Sequence, residues 1–225
     1  MAEITSSTET DGVIKFDLHH EAGPPPDREL LNDVLAWRTV LFRLRLTGRD
    51  PERYGGVAYG NMSRRLAGQR FIVSGTQTGG REWLTPADFC LIEAFDLAGN
   101  RVWAVGPISP SSESLTHAAI YQANPDCRSV IHVHSPEMWR KFKQHALPAT
   151  SESIPYGTPA MAHAVGGLVQ TRPSGTIAML GHEDGIISYG PSTEAAALDL
   201  LRHLAQSFLP AMAETSSTGK SRQGV

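Results

Sequence analysis

Ser129-Val130-Ile131-His132-Val133-His134-Ser135 reads as a β-strand whose two faces differ in chemistry. Side chains alternate along an extended chain, so His132 and His134 project together while Ile131 and Val133 point the other way. One face suits a core. The other carries two imidazoles able to reach a single metal ion at about 2.0–2.1 Å. Standing alone, such a pair is equally well explained as two polar residues on the wet side of an edge strand, so the rest of the chain has to decide.

Two further residues bear on the pair. Ser111-Ser112-Glu113 lies before and within the start of a helix expected over about 112–123. Free amides there favour an anion, and a first-turn carboxylate complements the helix dipole. His182 sits in Gly181-His182-Glu183-Asp184-Gly185, between apolar runs that read as strand, turn and strand over 177–189. Taken singly, Glu113 is a favourable first-turn acid and His182 an exposed turn residue. Taken in order with the histidine pair, they make a candidate centre of three imidazoles and one carboxylate.

Outward from this centre, the chain organises as one domain over 27–213. A polar segment, 1–26, closing in Gly23-Pro24-Pro25-Pro26, is expected to be loose, as is the Ser/Thr/Gly-rich tail 214–225. A first helix begins near Asp27, a good N-cap, and stops at Gly48. A Gly-rich passage over 55–61 follows, then a strand at 70–74. Thr85-Pro86-Ala87-Asp88 has the layout of a second helix start. A hairpin over 96–104 turns at Gly99-Asn100, and a last helix runs from near Ser192 through Leu209. Hairpins without a regular βαβ rhythm point to an α/β or α+β domain on a largely antiparallel or mixed sheet.

Of the 225 residues, 40% are apolar and 19% charged, as in ordinary globular chains. The net charge of −3, with Lys and Arg scattered among acids, argues against a nucleic-acid or membrane surface. The first residues lack the layout of a signal peptide, so the cytoplasm is the expected location. Cys90 and Cys127 each lie in apolar runs and read as buried thiols.

With these residues in view, the chain resembles the class II aldolase/adducin family, whose members include zinc-dependent fuculose-phosphate and ribulose-phosphate aldolases and epimerases. The likeness spans about Leu30 to Leu209. Its motifs, in order, are Gly60-Asn61-Met62-Ser63-Arg64, Ser74-Gly75, Leu84-Thr85-Pro86, Pro110-Ser111-Ser112-Glu113, His132-Val133-His134-Ser135, Ile154-Pro155-Tyr156-Gly157, and His182 before Gly185. Each is weak alone; seven in order are specific. The resemblance implies an α/β fold, a three-layer α/β/α domain on a central, mainly antiparallel sheet, and a homo-oligomer, commonly a tetramer with active sites between subunits. It implies that His132, His134 and His182 hold a divalent metal, zinc first, with iron, manganese and cobalt as alternatives. Glu113 looks like the carboxylate that moves a proton, and Gly60, Asn61, Ser74, Gly75, Ser111 and Ser112 like a cradle for a substrate phosphate. The expected partner is a small molecule rather than nucleic acid or membrane.

The residue types suit that chemistry. Three neutral imidazoles leave open positions on a metal. A ligand with neighbouring carbonyl and hydroxyl oxygens can chelate there, and a Lewis acid stabilises the enediolate formed from it. A carboxylate nearby can remove or return the proton. The expected function is a metal-dependent lyase, with retro-aldol cleavage as the nearest pattern. Epimerisation, dehydration and aromatic-acid decarboxylation use the same apparatus, while a non-catalytic interaction domain, as in the adducin branch, would be expected to have lost the ligands.

The chain departs from the family pattern at three places. Glu183 and Asp184 follow His182 where the aldolases usually place glycine, so an added carboxylate ligand or a changed charge is one expectation. No tyrosine stands near Leu147-Pro148, where the fuculose-phosphate aldolase has its proton donor. The loop Ser74–Gly80 is long and rich in amides. Outside the motifs, His117 reads as a packing or supporting residue, and Arg64 and Arg65 as surface ion-pair partners.

Overall fold

The strand carrying the histidine pair has a strand on either side and a helical layer over each face. A computed structural model describes residues 13–145, 147–169 and 172–209. In chain order they form β1 (Asp17–Ala22), α1 (Asn32–Arg43), β2 (Gly48–Arg49), β3 (Ala58–Tyr59), β4 (Asn61–Arg65), β5 (Phe71–Ser74), β6 (Phe89–Asp96), β7 (Arg101–Gly106), α2 (Ser114–Ala123), β8 (Ser129–His134), α3 (Pro136–Gln144), α4 (Pro159–Val169), β9 (Gly175–Ala178), β10 (Gly185–Gly190) and α5 (Thr193–Ser207). Eight strands share one sheet in the order β1-β7-β6-β5-β4-β8-β10-β9. Every pairing in it is antiparallel except that of β1 with β7.

Alternation along the strands sorts the core into two halves. On one face, Leu115 and Ala118 of α2 and Met161 and Val165 of α4 pack on Val73, Ile92, Val130 and Ile187. On the other, residues of α1, α3 and α5 such as Val34, Phe142 and Leu200 pack on Met62, Ile72, Ile131, Val133 and Ile186. Burying one such side chain is worth about 1.5–3 kcal/mol, so the two halves together fix which way β8 faces. Ile131 and Val133 go to the second half, and His132 and His134 therefore emerge on the α2 side. The expected three-layer α/β/α arrangement on a mainly antiparallel sheet is what the chain adopts.

Three local expectations are corrected. Asp17–Ala22, inside the segment expected to be loose, is a strand in register with Arg101–Gly106. Its residues DLHHEA are polar because an edge strand keeps one side in water, and charge there deters further pairing. Thr85 to Asp88 does form a cap, with Asp88 Oδ2 accepting from Thr85 N at 2.8 Å and Thr85 Oγ1 at 3.0 Å. The helix lasts a single 3₁₀ turn, because Phe89-Cys90-Leu91-Ile92 is drawn between β5 and β7 and sheet packing overrides the local start signal. Asp27 caps only a 3₁₀ turn at Arg28–Leu30, and α1 ends at Arg43, short of Gly48. The hairpin between β6 and β7, the cap at Ser192 and the buried free thiols Cys90 and Cys127 match their expectations. Residues 1–12 and the tail 214–225 lie outside the described residues. Among the described residues no helix is long and apolar enough to cross a membrane.

Candidate metal centre and cleft

β8 sets His132 and His134 side by side, and its partner β10 delivers the turn that bears His182: Gly185 pairs with His134 and Ile187 with His132. Gly185 N donates to His182 O at 3.0 Å and Met179 N to Gly185 O at 2.8 Å, closing that turn tightly. Glycine is required at its end, since a Cβ on Gly185 would lie 2.9 Å from ring atoms of His182. The ring centroids are separated by 5.1 Å (His132–His134), 5.0 Å (His132–His182) and 4.7 Å (His134–His182). One nitrogen from each lies within 4.8 Å of the others, and all three residues are buried. His182 is not the exposed turn residue its local sequence suggests.

The environment of the cluster bears on how the rings could ligate. His132 Nδ1 lies 3.1 Å from the Ile186 carbonyl oxygen. A carbonyl only accepts, so Nδ1 carries the proton and Nε2 keeps its lone pair. Burial, helped by the neighbouring His182, His132 and Arg53, holds His134 well below the usual imidazole range. A neutral ring is the ligating form. Glu113, 2% exposed, occupies the N-cap position of α2. Its Oε2 accepts from Thr116 Oγ1 at 2.8 Å, and its Oε1 is 3.9 Å from His182 Nδ1. Three converging imidazole nitrogens beside one carboxylate are a donor set that fits a divalent cation.

A narrow cleft opens over the cluster. Register brings Asn61 of β4 opposite His132. Gly60 before it has φ +83°, and a Cβ there would meet Thr47 Cγ2 at 2.5 Å, so only glycine passes this point. The loop after β5 and the loop before α2 are joined by a Gly75–Pro110 bridge and by Thr76 N donating to Ser109 O at 2.9 Å. Gly60, Asn61, Gly75, Ser111, Ser112, Glu113 and the three histidines all line the cleft, with Tyr59, Thr76 and Gln77. Ser74 is the exception among the expected cradle residues. Its hydroxyl accepts from Met62 N at 3.1 Å, and it stands outside the lining as a brace between β5 and β4. Asn61 Oδ1 is buried without a hydrogen-bond partner among the described residues, a cost that a ligand donor would relieve. Buried Arg38, its guanidinium lowered to about 10 by desolvation against the opposing pull of Asp88, stays charged and donates to Thr78 O at 3.1 Å and Glu82 O at 3.0 Å. It thereby props the far side of the long amide-rich loop.

Of the surrounding residues, Tyr156 belongs to a motif of the resemblance and Asp184 to the acidic turn after His182, whereas Lys15, Arg53 and Tyr54 give no local signal in the sequence. Tyr156 stacks on His182 at 4.6 Å, and Lys15 Nζ sits 3.9 Å above the Tyr156 ring. Tyr54 meets His134 at 4.4 Å. The extra acid Asp184 accepts from Tyr54 Oη at 2.9 Å and pairs with Arg53. The other polar candidates resolve as support: Arg64 pairs with Asp33 at 2.6 Å, and Arg65 donates to the carbonyls of Tyr121 and Asn124 at the end of α2. His117 lies 2.7 Å from Ser63 Oγ, away from the cleft lining.

Comparison with known proteins agrees with this architecture. Residues 51–208 match the model of the Class II Aldolase and Adducin N-terminal domain. A methylthioribulose-1-phosphate dehydratase of Gluconacetobacter diazotrophicus is 33% identical over 105 residues, 44% of this chain and 46% of that protein. A 3-oxo-tetronate 4-phosphate decarboxylase of Haemophilus influenzae is 36% identical over 76 residues, 34% and 33% of the two lengths. The chain thus matches less than half the length of these curated relatives. Among solved structures, YgbL from Escherichia coli superposes with a TM-score of 0.61 at 18% identity, covering 80% of this chain and 87% of that one. L-fuculose-1-phosphate aldolase from Thermus thermophilus gives 0.55 at 19% identity, covering 83% and 100%. At such identities the structures speak for the fold, and the family match covers most of the chain: this protein belongs to the class II aldolase/adducin family.

Proposed function

We propose that the chain is a metal-dependent lyase acting beside the carbonyl of a small, phosphorylated hydroxy-carbonyl compound. One observation carries the reading: three buried imidazoles offer nitrogens within 4.8 Å of one another, with the Glu113 carboxylate 3.9 Å from one of those rings. His132, His134 and His182 would hold a divalent cation, zinc by preference, with iron, manganese or cobalt as alternatives. When bound, the cation supplies Lewis acidity to neighbouring carbonyl and hydroxyl oxygens of the substrate.

The remaining work falls to the chain's own side chains. Glu113 Oε1 takes and returns the substrate proton, while the Thr116 hydroxyl holds Oε2 and so fixes how the carboxylate faces the cleft. Asn61, Ser111, Ser112 and the backbone at Gly60 and Gly75 receive the phosphate through neutral donors, since the described lining holds no Lys or Arg. Two relatives acting on phosphorylated compounds, one a dehydratase and one a decarboxylase, favour elimination and decarboxylation as the first reactions to try. The intact histidine set weighs against a purely adducin-like interaction role. A cytoplasmic location and a homotetramer rest on the family resemblance alone.

The test is a panel of sugar phosphates and aromatic carboxylates offered to metal-loaded protein, with mass-spectrometric readout of products. Turnover of a phosphorylated member, with much lower kcat/KM for its dephosphorylated form, supports the reading. Equal kcat/KM for both would remove the phosphate claim, and turnover confined to aromatic acids would replace the substrate class.

A further inference from the structure

Two residues other than glycine hold left-handed backbone next to the metal centre, and their side chains meet. Tyr54 has φ +52° and Asp184 φ +58°. Such conformations crowd a side chain against its own backbone and persist only where the surroundings enforce them. Tyr54 Oη donates to Asp184 Oδ2 at 2.9 Å across 130 residues of sequence, and Arg53 closes an ion pair on the same oxygen. The Tyr54 ring meets the His134 ring edge-on, centroids 4.4 Å apart and planes at 76°. Asp184 stands two residues beyond His182, and its carbonyl accepts from the amide of Ser135, directly after His134, at 2.9 Å. The loop at 53–56, the His182 turn and the end of β8 are thus tied into one unit.

We propose that Tyr54 and Asp184 are positioning residues that hold His134 and His182 at the separation a metal ion needs before the ion arrives. This rests on the metal-centre reading above. Asp184 serves as a brace rather than a fourth ligand: its carboxylate is engaged by a phenol and a guanidinium, and its charge is matched by Arg53. The two acids after His182 therefore do not add negative charge at the cation through Asp184. Strain at two left-handed residues is tolerated because the hydrogen bond between them locks both loops in the arrangement that aims the rings.

Cobalt(II) titration of the full chain tests this, with affinity read by competition against a chromophoric chelator and geometry by the visible absorption of bound cobalt. Tyr54→Phe removes only the phenol oxygen and leaves the ring against His134; Asp184→Asn keeps the shape and loses the charge. Each is expected to weaken cobalt binding about 10–100-fold and to shift the absorption bands. The double variant should be little worse than the weaker-binding single one, because both changes break one unit. Wild-type affinity and spectrum in both single variants would overturn the proposal, as would a lowered melting temperature of the metal-free variants with affinity unchanged. Should Asp184→Asn fail to fold, Tyr54→Phe alone decides. If the wild type takes up no cobalt and His132→Ala behaves the same, the metal-centre reading has failed first and takes the brace with it.

Discussion

Near the middle of α2, buried His117 lies 2.7 Å from Ser63 Oγ, which lies 2.7 Å from the Tyr121 hydroxyl. At the N-terminus of the same helix, Glu113 faces His182, with His132 and His134 beside it. Both regions sit on the same face of the sheet, both are buried, and in both desolvation holds an imidazole below its usual range, His117 at about 3 and His134 well below 6.5. The difference lies in what the rings meet. His117 meets a single hydroxyl, that of Ser63, within a closed packing layer, whereas the other three rings bring one nitrogen each within 4.8 Å of the others beneath a cleft. Burial and weakened basicity are therefore common to packing and to chemistry; convergence on an open cleft separates them.

Breaking the converging cluster has the largest expected effect. His132→Ala or His182→Ala should lose the bound ion and with it all measurable turnover, read by elemental analysis beside a steady-state assay. Glu113→Gln should keep the ion and lower kcat by about 10²–10⁴-fold, the span typical of a proton-transfer group. A fully active Glu113→Gln enzyme would remove Glu113 from its role. In the closed cluster, His117→Gln should cost about 1–3 kcal/mol of stability in urea unfolding, since the buried Ser63 hydroxyl loses its imidazole partner, with metal affinity and kcat unchanged. Loss of metal in that variant would erase the distinction between the two regions.

Acid sharpens the same comparison. His117 and His134 take protons more readily unfolded, near pH 6.5, than folded. Their contribution to stability is thus complete above about pH 6.5 and is lost as pH falls, through to about 3 for His117. In metal-free protein each such group contributes a slope of up to about 1.4 kcal/mol per pH unit. Urea midpoints from pH 7 to 4 should fall accordingly, and His117→Gln should flatten the slope. The smallest effect is expected from Thr116→Val, which frees Glu113 Oε2: a loss of about 1 kcal/mol of transition-state stabilisation, roughly fivefold in kcat.

The centre was legible in sequence to the extent that single residues carry its chemistry. His132 and His134 share a face because strand alternation is strictly local, whereas Glu113 and His182 read singly as a first-turn acid and a turn residue and join them only through motif order and the family resemblance. The resemblance puts both Asn61 and Ser74 in the cradle; register with His132 brings Asn61 to the cleft, whereas Ser74 stays outside it because Met62 N claims its hydroxyl. β1 escaped notice because an edge strand can be as polar as a loop. The brace of Tyr54 and Asp184 was hidden for another reason: it joins residues 130 positions apart through left-handed backbones that no periodicity reports. The helix α3 sets Met138, Trp139 and Phe142 on one side, but nine residues are too few for that stripe to decide a helix from sequence.

Elemental analysis of the purified protein, wild type beside His132→Ala, decides whether the three imidazoles hold an ion. Close to one divalent ion per chain is expected in the wild type and almost none in the variant. An ion-free wild type that takes up none on addition, or equal metal in the two proteins, would contradict it.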